Sequence, residues 1–236
     1  MSYSGKIVLV TGARRGVGRI VSEHFLRQGA HVIGLNRHAD EDVSAPGYTA
    51  MVVDISDEQS VVDGFAQIRR QFGRVDIVIN NAAVLTSQYA MILPVGAAKS
   101  MLDTNILGTF LVSREAAKLM RKCKWGRIIN ISSMATCLEP MGDSVYAASK
   151  AAVSTLANVM AKEFAAMHVT CNTLGITAIA TDMLGQLPKD KIDAVVAGLP
   201  LSRYAEPDDI LNVIDFFASE RSGYITAQTV FLGGVH

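Results

Sequence analysis

Seven short apolar runs punctuate this chain, and between them lie longer stretches whose apolar residues recur with helical period. That alternation constrains the fold more than any other feature. The runs Lys6–Val10, His31–Leu35, Ala50–Val53, Asp76–Ile79, Arg127–Ile131, His168–Thr173 and Gln228–Leu232 are mostly Val/Ile-rich and bounded by Gly, Asp or Asn, which predicts strands. They hold few polar residues, as strands do when both faces of a parallel sheet are covered. Helices are predicted over Val17–Gln28, Ser60–Phe72, Ala97–Lys122, Val145–Ala166 and Asp208–Ser219. In the first, Val17, Ile20, Val21, His24, Phe25 and Gln28 fall at i, i+3, i+4, i+7 spacing and make one mostly apolar face. Alternating strand and helix implies right-handed βαβ units and a doubly wound α/β sheet. No repeat, low-complexity tract or Pro/Gly/Ser linker divides the 236 residues, so a single domain over 1–236 is expected.

Two segments read differently. The crossover from Asn36 to Thr49 is short, carries Asp40, Glu41, Asp42, Pro46 and Gly47, and is expected to be mostly irregular. The segment Met183–Pro200 mixes Gly185, Pro188 and Gly198 with apolar Leu184, Leu187, Ile192, Val195 and Val196. It is expected to be either a mobile substrate lid or a fixed surface helix.

After the first strand comes Thr11-Gly12-Ala13-Arg14-Arg15-Gly16-Val17-Gly18, opening straight into a helix. Glycines permit a tight turn and close backbone approach, and the helix start offers free N–H groups and a positive dipole end to a pyrophosphate. The GxxxGxG spacing differs from the GxGxxG of ordinary dinucleotide folds. It resembles the fingerprint of the short-chain dehydrogenase/reductase family. The second strand ends at Asn36-Arg37, where an NAD enzyme usually places a carboxylate for the adenosine 2′-hydroxyl. Arg37 and Arg15 can instead neutralise a 2′-phosphate, so NADP(H) is favoured, with NAD(H) as the alternative.

Tyr146 and Lys150 occur as Tyr-Ala-Ala-Ser-Lys, and their i, i+4 spacing places both on one helical face. A nearby ammonium favours the phenolate and is expected to lower the tyrosine's ionisation, making it a usable acid/base. Thirteen residues before Tyr146, Ser133 follows the fifth strand, where it can polarise a substrate carbonyl; Ser132 competes for that role. Asn105 lies within a predicted helix, where Asn is locally unfavourable unless it holds a water or kinks the helix.

Asn105, Ser133, Tyr146 and Lys150 match the Asn-Ser-Tyr-Lys tetrad of short-chain dehydrogenases/reductases in order and spacing. Val53-Asp54-Ile55, Val75–Ala82, Gly126–Ser133 and Tyr224–Gln228 match as well, so the resemblance runs from Gly5 to Gly234. Within the family the chain resembles the 3-oxoacyl-[acyl carrier protein] reductases. The resemblance implies a Rossmann-like α/β domain with a seven-stranded parallel sheet flanked by helices. It implies reduction of a ketone, a 3-oxoacyl thioester or similar, by NADPH; oxidation of an alcohol or sugar and a non-catalytic cofactor sensor are alternatives.

Site roles follow from the same resemblance. Gly12, Arg15, Gly16, Val17 and Gly18 line the cofactor phosphates, joined by Asn36 and Arg37. Asp54 and the Ile55 backbone hold the adenine, Asn81 and Ala82 pack near its ribose, and Ile179 and Thr181 meet the nicotinamide end. Tyr146 protonates the carbonyl, Lys150 grips the ribose hydroxyls, and Asn105 holds a relay water. Two departures stand out: Ala83 replaces a usual Gly, and Ile176-Thr177 replaces a Pro-Gly turn, where Gly175 is expected to supply the lost flexibility.

Composition narrows the remainder. With 22 basic against 22 acidic side chains the net charge is zero, which excludes a nucleic-acid binder working by phosphate neutralisation. Half the residues are hydrophobic, too many for a disordered chain. The run Ile7–Val10 is too short for a signal peptide's core, and the uncharged stretch Ile77–Ala98 carries Asn80, Asn81, Thr86, Ser87, Gln88 and Pro94, so no membrane segment is expected. Three dispersed cysteines and five histidines show no disulfide or metal spacing, which points to a reducing, cytoplasmic setting and no metal. The helices Ala97–Lys122 and Val145–Ala166 hold more apolar surface than one sheet face needs, so a homodimer or homotetramer is expected.

Overall fold

The computed structural model describes residues 2–39, 45–179 and 189–235. Seven strands form one parallel sheet in the order β3-β2-β1-β4-β5-β6-β7. They are β1 (Ile7–Thr11), β2 (His31–Asn36), β3 (Tyr48–Val52), β4 (Ile77–Asn80), β5 (Gly126–Ser133), β6 (Val169–Ile176) and β7 (Thr229–Phe231). The order reverses between β1 and β4, so the connections leaving their carboxyl ends diverge and open a crevice, where ligands of open α/β sheets bind.

The apolar runs fill two cores because alternate side chains leave opposite faces of each strand. Val8 and Val10 enter a core with Phe25, Ile210 and Phe217, from helices α1 (Gly16–Arg27) and α8 (Pro207–Ala218). Leu9 enters the other with Phe65, Leu111 and Met160. Those come from α2 (Glu58–Gln71), α4 (Thr109–Cys123) and α6 (Ser144–Phe164). Local chemistry sets the helix starts: Asp57 caps α2 by accepting from the backbone N–H groups of Gln59 and Ser60. Pro207 opens α8, and the Asp209 carboxylate accepts from the Glu206 N–H at 2.8 Å.

The expected helix Ala97–Lys122 is three pieces. Helix α3 (Val95–Leu102) passes into a π-helical segment, Asp103–Gly108, before α4 begins. The widened turn centres on Asn105, and the Thr109 hydroxyl donates to the Asn105 carbonyl at 2.8 Å. Gly108 allows this path, since a Cβ there would meet Ile55 Cδ1 at 2.8 Å.

Strands β5 and β6 run beyond their expected ends to Ser133 and Ile176, which pair in register. A short helix, α5 (Ala135–Leu138), follows β5. Around the expected irregular crossover, 37–39 and 45–47 form bends and a turn; 40–44 lie outside the described residues. Of the segment Met183–Pro200, 183–188 also lie outside them. The remainder opens as α7 (Lys189–Ala197), whose Ile192 and Val196 are buried against Ala178, Met134 and Tyr204. Among the described residues no helix is long and apolar enough to cross a membrane.

Candidate active site

A cleft of about 600 Å³ opens at the carboxyl ends of the central strands. Of the residues expected to bind a cofactor, Gly12, Arg15, Gly16, Val17, Asn36, Arg37, Asp54, Ile55, Asn81, Ala82, Tyr146, Lys150 and Ile179 all line it. Thr181 lies outside the described residues.

The β1–α1 turn needs its glycines: Gly12 and Gly16 have φ of +64° and +54°, values that L side chains rarely adopt. The start of α1 carries no acidic residue in its first turn and no side-chain cap, leaving its N–H groups to an anion. Gly18 has another role. It is absent from the cleft wall, and a Cβ there would collide with the Gly12 carbonyl oxygen and come within 2.6 Å of Asn81 Nδ2. Its missing side chain packs α1 against the turn.

At the end of β2, Asn36 Oδ1 accepts from the Arg14 N–H at 3.1 Å, while its buried Nδ2 has no partner among the described residues. Arg14 and His38 line the same end of the cleft, and sequence reasoning missed both. Their adjacency to Arg15 and Arg37 was the available signal. Three guanidinium groups and an unsatisfied buried amide donor fit a multiply anionic dinucleotide.

Asn81 is committed to the scaffold: its Nδ2 donates to the Thr11 and Gly12 carbonyls at 2.9 and 3.2 Å. Thr11 Oγ1 accepts in turn from the Asn81 and Ala82 N–H groups at 3.0 and 2.9 Å. Asp54 Oδ1 accepts from the Ser56 N–H and hydroxyl at 2.9 and 2.6 Å, which holds the β3–α2 turn.

At the other end, Ser133 Oγ accepts from the Ala135 N–H at 3.1 Å, and Tyr146 lines the cleft. Ser132 is buried, lines the cleft and donates to the Lys150 carbonyl at 3.1 Å, whereas Ser133 does not line it. Lys150 is buried, and its Nζ donates to the Ile131 carbonyl at 2.8 Å. Burial brings its ammonium down to about 8. The expected lowering of Tyr146 is reversed. Burial raises its phenol above the ordinary value, the nearby Ser133 hydroxyl opposes this, and the Asp143 charge adds to the rise.

Asn105 is buried and does not line the cleft. Its Oδ1 accepts from the Val84 N–H at 2.9 Å, and its Nδ2 donates to the Val84 carbonyl and the Ser149 hydroxyl at 3.1 and 3.0 Å. The side-chain amide is thus bonded to Val84 and Ser149.

The expected rescue of the Pro-Gly substitution by Gly175 is also corrected. Gly175 sits inside β6, where a Cβ would overlap the Phe231 ring. It serves packing, not turning. Ile176, unlike Pro, keeps its N–H and continues the strand, its carbonyl accepting from the Met134 N–H at 2.8 Å. Ile176 and Ala83 both line the cleft.

The short chain dehydrogenase family model matches residues 6–192. The 3-oxoacyl-[acyl-carrier-protein] reductase FabG of Escherichia coli (strain K12) is 32% identical over 239 residues, spanning 99% of this chain and 98% of that protein. The ligand-free aldohexose dehydrogenase AldT of Thermoplasma acidophilum superposes with a TM-score of 0.89 at 26% identity, covering 98% of this chain and 94% of its own. ElxO with NADP bound superposes at 0.87 and 28% identity, covering 96% of each chain. A parallel sheet with its cleft at the β1/β4 reversal, together with these likenesses, establishes that the chain belongs to the short-chain dehydrogenase/reductase family of NAD(P)(H)-dependent oxidoreductases.

Proposed function

We propose that this protein is a single-domain, cytoplasmic NADPH-dependent reductase that converts a ketone, a 3-oxoacyl thioester or a similar carbonyl compound, to a secondary alcohol. The observation that carries this reading is a single cleft lined by Tyr146 and Lys150 together with Arg14, Arg15 and Arg37. The 32% identity to FabG supports the ketone, and the NADP bound in ElxO supports the cofactor.

Arg15 and Arg37 hold a 2′-phosphate, and the N–H groups at the start of α1 hold the pyrophosphate. The unpartnered Asn36 amide supplies a further donor at that end. When bound, the nicotinamide supplies hydride to the carbonyl carbon. Tyr146 donates its phenolic proton to the carbonyl oxygen, and Ser133 steadies the charge developing there. Lys150, anchored by the Ile131 carbonyl and lining the cleft beside Tyr146, would hold the ribose hydroxyls of the cofactor. Asn105 fixes the Val84 backbone and α6.

Exposed Val95, Leu102, Leu107 and Val159 on α3, the π segment and α6 supply the surface for a homodimer or homotetramer. Oxidation of a sugar or alcohol is the second reading, favoured by the likeness to AldT.

Purified protein mixed with NADPH and a panel of 3-oxoacyl thioesters, simple ketones and sugars tests the reading through absorbance of the reduced cofactor. NADPH consumption with a 3-oxoacyl thioester or simple ketone is expected. Turnover confined to sugars with NADP+ would install the second reading, and binding of neither NADPH nor NADH would overturn both.

A further inference from the structure

The chain carries Ile176-Thr177 in place of a Pro-Gly turn, and the two side chains go to different places. Ile176, the last residue of β6, lines the cleft. Thr177 does not line it; its side chain joins the wall of a separate cavity of about 200 Å³, together with Gly233, Leu232 and Ala205. Thr177 is only 6% exposed, so what it packs against matters.

That partner is the turn after β7. Gly175 pairs with Phe231, and carrying the register on by two residues sets Thr177 opposite Gly233. A Cβ at Gly233 would lie 3.0 Å from Thr177 Cγ2, so the glycine leaves the room that the threonine methyl takes up. The Leu232 N–H donates to the Gly175 carbonyl at 3.0 Å, which fixes the turn to β6. On the other side, the Ala205 N–H donates to the Ala178 carbonyl at 2.8 Å, and Ile179 bridges Ala205.

Residues 176–179 are thus held between the turn after β7 and the segment before α8, while Ile176 and Ile179 face the cleft. Proline would fix this backbone through its own φ, whereas Ile and Thr carry no such restraint. Packing has to supply it, and close-packed contacts transmit small displacements to their neighbours.

We propose that Thr177 is a positioning residue for the nicotinamide end of the cleft: its methyl, packed on the Gly233 turn, holds Ile176 and Ile179 in place against the cofactor. This rests on the reading of the cleft as an NADPH site with its phosphates at the arginine end. Thr177 itself stays clear of the cofactor, so its effect passes through the two isoleucines.

Calorimetric titration of the full chain with NADPH and, separately, with adenosine 2′,5′-bisphosphate tests this, because the second ligand has the phosphate end and no nicotinamide. Thr177→Ser removes only the Cγ2 methyl and should weaken NADPH by about three- to tenfold. Its affinity for the bisphosphate should match that of wild type. Thr177→Val keeps the methyl and loses the hydroxyl, so it should bind both ligands as wild type does. Unchanged NADPH affinity in Thr177→Ser, or an equal loss for the two ligands, overturns the proposal while the site reading stands. Wild type that binds neither ligand overturns the site reading and the proposal with it.

Discussion

Asn105 Nδ2 donates to the Ser149 hydroxyl at 3.0 Å, tying the π-helical segment to α6 between Tyr146 and Lys150. Ser149 passes the bond on to the Tyr146 carbonyl at 2.7 Å. A residue outside the cleft thereby sets the rotation of the helix that carries the proposed acid and its lysine.

Replacing Asn105 with Ala leaves the Val84 N–H and carbonyl and the Ser149 hydroxyl without their partner. The expected cost is about 3 kcal/mol in urea unfolding. A double-mutant cycle with Ser149→Ala should return a coupling of about 1 kcal/mol. Additive losses would show that the two side chains act independently.

Lys150 ionises at about 8 in the fold against 10.5 in the unfolded chain. The unfolded state holds the extra proton between those values, so stability rises with pH across that window. Lys150→Met removes the penalty and is expected to be more stable than wild type by about 2 kcal/mol at neutral pH, after allowing for the lost bond to Ile131. The advantage should shrink from pH 8 to pH 10.5 in denaturant midpoints taken at each pH.

Two glycines separate backbone from side-chain crowding. A Cβ at Gly18 meets the Gly12 carbonyl, which cannot move without opening the phosphate turn, so Gly18→Ala should cost more than about 3 kcal/mol. At Gly126 the same atom meets Met120 Cγ at 2.7 Å, and a flexible methionine can give way, so about 1 kcal/mol is expected. Comparing midpoints of the two variants checks the order.

The strands and most helices were legible because apolar period survives any tertiary context. The π segment was not: Asp103-Thr104-Asn105 within an apolar helical stretch reads as ordinary α-helix until the contacts to Val84 and Ser149 appear. Ile176, which unlike Pro has an N–H, lies within β6 opposite Ser133. Tyr146 and Lys150 were readable from spacing, but their environment was not. Burial and the Ile131 carbonyl reverse the simple expectation of a lowered phenol. Arg14 and His38 were signalled only by their adjacency to Arg15 and Arg37, and the paths of two turns bring them into the cleft.

The proposed preference for NADPH rests on Arg37. Arg37→Ala should weaken NADPH binding by about 10- to 100-fold and leave NADH unchanged, as loss of a charge-assisted contact to a 2′-phosphate requires. Fluorescence titration with both nucleotides reads this directly. Equal losses for the two would place Arg37 elsewhere on the cofactor.

The most direct test of the account is NADPH consumption by wild type and Tyr146→Phe, side by side, over the same panel of ketones and 3-oxoacyl thioesters, with NADPH binding measured for each. The account predicts turnover by wild type, a loss of about 10²- to 10⁴-fold in the variant, and nucleotide binding retained. Turnover in Tyr146→Phe within tenfold of wild type would contradict it.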